Sequence, residues 1–266
     1  MKKYLNIIIF LLSFLYDIDI YIASMNTKNI YLNSNEITLK VRGKGIQNII
    51  YSGFSGGFPS EIICNKVINS YQCDLINDEN IIILRWNSKL TTCNEMFRSC
   101  SNIIGVDLTK FDTSAVRDMR WMFNECQSLE YANLENMDTS LVTQMNSMFY
   151  SCKLLTSINL SNLNSNNCLT RINSMLRFCE SLTIVNLTNF DTSKVQRMDE
   201  LFDSCTSLIS IDLSSFIISS ISTMQNMFNL CNNLVYINLK NAIKTGSFTI
   251  TNIFSGVPIN VVFCIE

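Results

Sequence analysis

Apolar positions along the chain follow two alternating periods. In residues 155–160, Leu155, Ile158 and Leu160 are interleaved with polar Ser157 and Asn159, which predicts a short strand with one buried and one exposed face. After Asp112-Thr113-Ser114 the spacing changes. Val116, Met119, Met122, Phe123 and Cys126 recur by threes and fours, which predicts one face of a short helix. Asp, Thr and Ser suit that junction, because their side-chain oxygens accept from the orphan N–H groups that open a helix. Asp112, Asp138 and Asp191 are therefore expected to cap helices. The predicted unit is strand, capped turn, short helix and return.

The unit repeats. Met-Phe-x-x-Cys returns every 26 positions, with copies starting at Met96, Met122, Met148, Met175, Leu201 and Met227. The third copy is one residue longer, at Ser165-Asn166-Asn167-Cys168. A fixed period of this size is the signature of a solenoid, whose units contact mainly their neighbours. Strands of successive units can satisfy one another as a parallel sheet about 4.8 Å apart. The expectation is an α/β solenoid with a parallel sheet on a concave side and short helices on the other. The ends depart from the repeat: residues 25–89 read as a small β-rich N-terminal cap, residues 90–254 as the repeats, and residues 255–266 as a closing strand.

Composition narrows the chemistry. The chain of 266 residues is 47% hydrophobic and 16% charged, enough for an ordinary core. A net charge of -2 with scattered Lys and Arg supplies no field for nucleic acid. Histidine is absent from the sequence, which removes the commonest general base and neutral metal ligand. No nucleophile and base pair stands out, so neither catalysis nor a cofactor nor a metal is expected. At the N-terminus, Lys2 and Lys3 precede an apolar run over residues 5–16, and small Ala23 and Ser24 follow, the pattern of a secretory signal peptide over residues 1–24. That run is shorter than the roughly 20 residues a spanning helix needs. The mature chain is expected to be secreted or held at the extracellular cell surface, with no membrane span.

Residues 181–205 read Ser-Leu-Thr-Ile-Val-Asn-Leu-Thr-Asn-Phe-Asp-Thr-Ser-Lys-Val-Gln-Arg-Met-Asp-Glu-Leu-Phe-Asp-Ser-Cys. This motif resembles the BspA-like leucine-rich-repeat surface proteins, in the Met-Phe-rich variant of their repeat, over roughly residues 90–254. The resemblance implies a leucine-rich-repeat horseshoe, exported or displayed on the cell surface, that serves in adhesion and protein binding. It carries over no catalytic residue.

Eleven cysteines in an exported chain suggest disulfides. Six of them, Cys100, Cys126, Cys152, Cys179, Cys205 and Cys231, share one repeat position and are expected to be buried free thiols, because parallel Cβ vectors at the strand spacing are poorly placed to bond. Cys64 and Cys73 form the candidate disulfide; Cys168 and Cys264 are candidate exposed thiols. The outward strand positions make the candidate concave binding face: Asp107, Asn133, Asn159, Asn186, Asp212 and Asn238 in one row, with Tyr131, Ser157, Ile184, Ser210 and Tyr236 beside it. The same polar row also reads as an amide ladder that stabilises the sheet. Exposed tyrosines among Asn and Ser are common in adaptable interfaces. Asn159-Leu160-Ser161 and Asn186-Leu187-Thr188 are candidate N-glycosylation sites on that face.

The expected function is non-catalytic binding of a protein or glycan partner at a cell surface, in adhesion or recognition. The alternatives are a structural subunit of an extracellular coat and, if the leader is not a signal, an intracellular scaffold.

Overall fold

The computed structural model describes residues 35–163, 168–240 and 251–264. The expected signal segment 1–24 and residues 165–167 of the lengthened turn lie outside them. The chain begins with β1 (Asn35–Arg42), β2 (Gly45–Asn48), β3 (Glu61–Ile63), β4 (Lys66–Asn69), β5 (Gln72–Leu75) and β6 (Glu79–Trp86). Alternation along β1 buries Ile37, Leu39 and Val41 beneath one face. β1 pairs antiparallel with β6 over its whole length, β3 extends that sheet, and β2, β5 and β4 form a second one.

One short strand then comes from each repeat: β7 (Ile103–Asp107), β8 (Tyr131–Asn133), β9 (Ser157–Asn159), β10 (Ile184–Asn186), β11 (Ser210–Asp212), β12 (Tyr236–Asn238) and β13 (Val262–Cys264). β7 pairs with β8, β9 with β10, β11 with β12, and β12 with β13, each time in parallel and in the register of the repeat. β1 also pairs antiparallel with β7, so the N-terminal sheet runs directly into the first coil.

The solenoid is real, but the expected short helices are not. No helix occurs among the described residues, so the molecule is a β-solenoid rather than an α/β leucine-rich-repeat horseshoe. The reason lies in where the backbone N–H groups go. An α-helix needs each N–H to bond the carbonyl four residues back. Here the N–H groups of Cys93, Glu95, Phe97 and Ser99 leave the coil and donate to Asp118, Arg120, Met122 and Asn124 of the next, at 2.7–2.9 Å. Those of Met96, Arg98 and Cys100 close tight turns onto Cys93, Glu95 and Phe97, three residues back. Glu95 and Ser99 have left-handed φ values of 62° and 56°, and their equivalents repeat this in later coils, as at Trp121 and Glu125. Two left-handed residues four apart exclude a right-handed helix. Consecutive tight turns carry Met, Phe and Cys inward by threes and fours just as a helix would.

The inward columns form the core. Phe97, Phe123 and Phe149 stack with ring centroids 5.4 and 5.2 Å apart, and Phe202, Phe228 and Phe254 do so at 5.4 and 5.8 Å. Leu176 occupies the position between the two stacks. The six aligned cysteines are buried free thiols. From Cys126 onward each donates its S–H to a carbonyl of the preceding coil, as Cys126 Sγ does to Phe97 O at 3.0 Å and Cys231 Sγ to Phe202 O at 3.1 Å. A buried thiol thus finds an acceptor without a disulfide.

Candidate functional site

The outward row Asp107, Asn133, Asn159, Asn186, Asp212 and Asn238 stands at the ends of β7 to β12. In every coil the side-chain Oδ1 accepts the backbone N–H two residues on: Thr109 at 2.9 Å, Glu135 at 3.2 Å, Ser161 and Thr188 at 3.1 Å, Ser214 at 2.8 Å and Lys240 at 3.0 Å. Each residue closes the turn that ends its own strand, a local role that Asn and Asp fill well. Asn238 also bonds Asp212 across one coil; although burial raises the Asp212 pKa, the bonds from Ser214 and Asn238 hold it below the usual carboxylate range. Asp112, Asp138 and Asp191 do the same for a second set of turns, accepting from the N–H groups of Ser114, Ser140 and Ser193. They cap turns, not helices.

The neighbouring row is less uniform than its sequence suggests. Tyr131 is half-buried: its ring covers Gly105 of the preceding coil, where any Cβ would meet Tyr131 Cζ at 2.0 Å. Burial pushes its phenol pKa well up. It is therefore part of the packing between β7 and β8 rather than an exposed aromatic. Ser157, Ile184, Ser210 and Tyr236 face solvent, with Ile184 58% and Tyr236 37% exposed. Asn159 and Asn186, the candidate glycan acceptors, are exposed on the same face.

Three residues that the sequence reading passed over complete this surface. Ile209 is 50% exposed, Val235 47% and Val262 57%. Ile209 and Val235 precede β11 and β12 by one residue, at a position where earlier coils carry Glu130, Thr156 and Thr183. The available signal was the switch from Glu and Thr in the three preceding coils to apolar Ile209, Val235 and Val261, although Ile104 is apolar at the same position and buried. The strand face thus has a polar half over the first coils and an apolar strip over the last.

No cluster of three or more potential metal-binding side chains occurs among the described residues, and no helix there is long and apolar enough to cross a membrane. Burial pushes the thiols of Cys100, Cys179 and Cys231 up to about 12, so they stay protonated and unreactive at neutral pH. Cys64 and Cys73 are joined by a disulfide between the β3–β4 connection and β5. Cys168 and Cys264 are half-buried, and Cys264 lies against Tyr236, whose phenol pKa it raises through a hydrogen bond.

The model of a family described as "Mycoplasma protein of unknown function, DUF285" matches residues 70–183 and 158–247, together more than half of the chain. No curated protein and no solved structure matches it.

Proposed function

The chain belongs to the DUF285 family of Mycoplasma proteins of unknown function, and from that premise we propose that it is an exported, surface-displayed binding protein of the BspA-like kind. It engages a protein partner through the strand face and performs no chemistry. The observation that carries this reading is the apolar strip of Ile184, Ile209, Val235, Tyr236 and Val262 on a face whose other outward residues are mostly hydroxyls and amides. A contiguous exposed apolar strip rimmed by polar groups marks an interaction surface. The coils beneath it are locked by turns and ladders, so little ordering is lost on binding. The basic and apolar pattern of residues 1–24 supports export.

External protease applied to intact cells should remove a tag at the C-terminus. Adhesion of chain-displaying cells to immobilised cell-surface proteins should fall at least tenfold when Ile209→Lys and Val235→Lys are introduced together. A tag that survives on intact cells would overturn surface display, and unchanged adhesion would overturn the strand face as the site.

A further inference from the structure

The outward surface of the tight turns carries a second set of features that the strand face does not explain. Its left-handed positions hold mostly Ser, Glu and Asn, but Trp121 at φ 54° and Phe178 at φ 60° are large aromatics. A bulky side chain in that region is disfavoured, and neither ring is a core residue, since both are half-buried on the outside of the coil. Each ring is accompanied by an arginine. The Arg120 guanidinium lies 5.5 Å from the Trp121 centroid, and that of Arg177 4.7 Å from Phe178. Each arginine is held in turn by carboxylates: Arg120 Nη2 is 2.6 Å from Asp118 Oδ2, while Arg177 reaches Glu200 Oε2 at 2.6 Å and Asp203 Oδ2 at 2.8 Å. Tyr150, in the coil between, meets Phe178 edge-on at 5.4 Å. Coils two to four therefore present rings and planar polar groups already fixed in place.

The ligand follows from what this face lacks. Its alternate N–H groups and their acceptor carbonyls are consumed by the coil-to-coil ladder, leaving no strand edge on which a polypeptide could add. Arginine beside aromatics also suits single-stranded nucleic acid. Here, however, Glu95, Asp118, Glu125, Asp199, Glu200 and Asp203 offset Arg98, Arg120, Arg171, Arg177 and Arg197, and a face with no net positive charge does not attract a phosphate chain. Recognition is left to side chains alone, by stacking on rings and by hydrogen bonds to fixed carboxylates and guanidiniums. We propose that the turn face binds a neutral saccharide, whose C–H surfaces stack on Trp121 and Phe178 and whose hydroxyls bond the Asp118–Arg120 and Arg177–Glu200 pairs. This goes beyond the strand-face reading and uses none of its residues.

Calorimetric titration of the full chain with neutral hexasaccharides of glucose and of N-acetylglucosamine tests it, with heparin and an oligothymidylate as anionic comparators. Saturable binding of a neutral hexasaccharide is expected, weakened at least tenfold by Trp121→Gly and by Phe178→Gly. Glycine relaxes the left-handed backbone, so the thermal midpoint of both variants should be unchanged or higher. The variant Ile209→Lys, which disables the strand face, should bind the saccharide normally, so the two readings can fail separately. Absence of saturable heat with both neutral saccharides, binding of the anionic comparators alone, full affinity in Trp121→Gly, or a lowered midpoint in both glycine variants would each overturn the proposal.

Discussion

The N-terminal cap and the solenoid are both β structure, yet they are held together in different ways. In the cap, β1 and β6 pair over eight residues, a disulfide ties Cys64 to Cys73, and buried Glu36 lies 3.0 Å from Arg85 and, across to the first coil, 3.0 Å from Lys110. In the solenoid, most strands are three residues long, and the same few contacts recur between neighbours: phenyl on phenyl, thiol on carbonyl, turn N–H on carbonyl. The cap concentrates its stability in a few ties between residues distant in sequence. The solenoid spreads it over nearest-neighbour interfaces, so damage to one coil should stay near that coil.

The most damaging test of this contrast is Phe123→Ala, which removes the middle ring of the first stack and should cost about 3–5 kcal/mol. Hydrogen exchange should accelerate in the coils on either side and stay slow in β1 and β6; uniform acceleration would show that cap and coils unfold as one unit. Next, replacing Cys64 and Cys73 by Ser opens a loop of nine residues' separation, worth about 2–3 kcal/mol. Urea unfolding followed by exchange should place that loss in β2, β4 and β5.

Glu36→Gln should cost about 2 kcal/mol, because it breaks a buried charge pairing whose cations remain partly solvated. Burial alone would raise the Glu36 pKa, but hydrogen bonds from Lys110 and Arg85 outweigh it and hold the carboxyl below the usual carboxylate range. A depressed folded value gives stability that is present above the unfolded pKa and lost as pH falls through the folded one. The variant's stability should therefore depend less on pH on the acid side than that of the natural chain, as measured by urea midpoints between pH 7 and 3. The smallest effect is a gain: Leu230→Gly, at φ 59°, should stabilise the stack by about 0.5–1 kcal/mol in thermal unfolding.

Much of the solenoid was readable from residue types alone. The 26-residue period, the inward columns of Phe and Cys and the outward Asp/Asn row all occupy the positions that spacing assigns them. The helix was not correctly read, because spacing by threes and fours is degenerate between a helix and consecutive tight turns. What would have separated them is the left-handed backbone at Glu95, Trp121 and Phe178, and none of these is the glycine that announces such a conformation. The turn-closing role of Asn159 and Asp212 was legible in principle, since a Ser follows each two positions later. Tyr131 was read as exposed because spacing assigns it to the outward row; the register that places it beside Gly105 follows from the period, but how far the ring folds over the missing side chain does not.

The turn ladder also gives the molecule an electrical direction. Peptide 122–123 accepts at its carbonyl from Phe97 of the coil before and donates its N–H to Met148 of the coil after. Peptides 118–119, 120–121 and 124–125 point the same way, and so do their counterparts down the stack. Each peptide unit carries a dipole of about 3.5 D, and here four columns of them run parallel to the solenoid axis. Their carbonyl end meets the cap, where the Tyr51 N–H bonds Met96 O at 2.9 Å, and their N–H end points toward the last coil. Columns such as Thr143 N–H on Arg117 O and Thr170 N–H on Thr143 O run the other way and offset part of this. The turn face itself, without a single described helix, still carries a local lengthwise dipole with its partial positive pole toward the C-terminal coil.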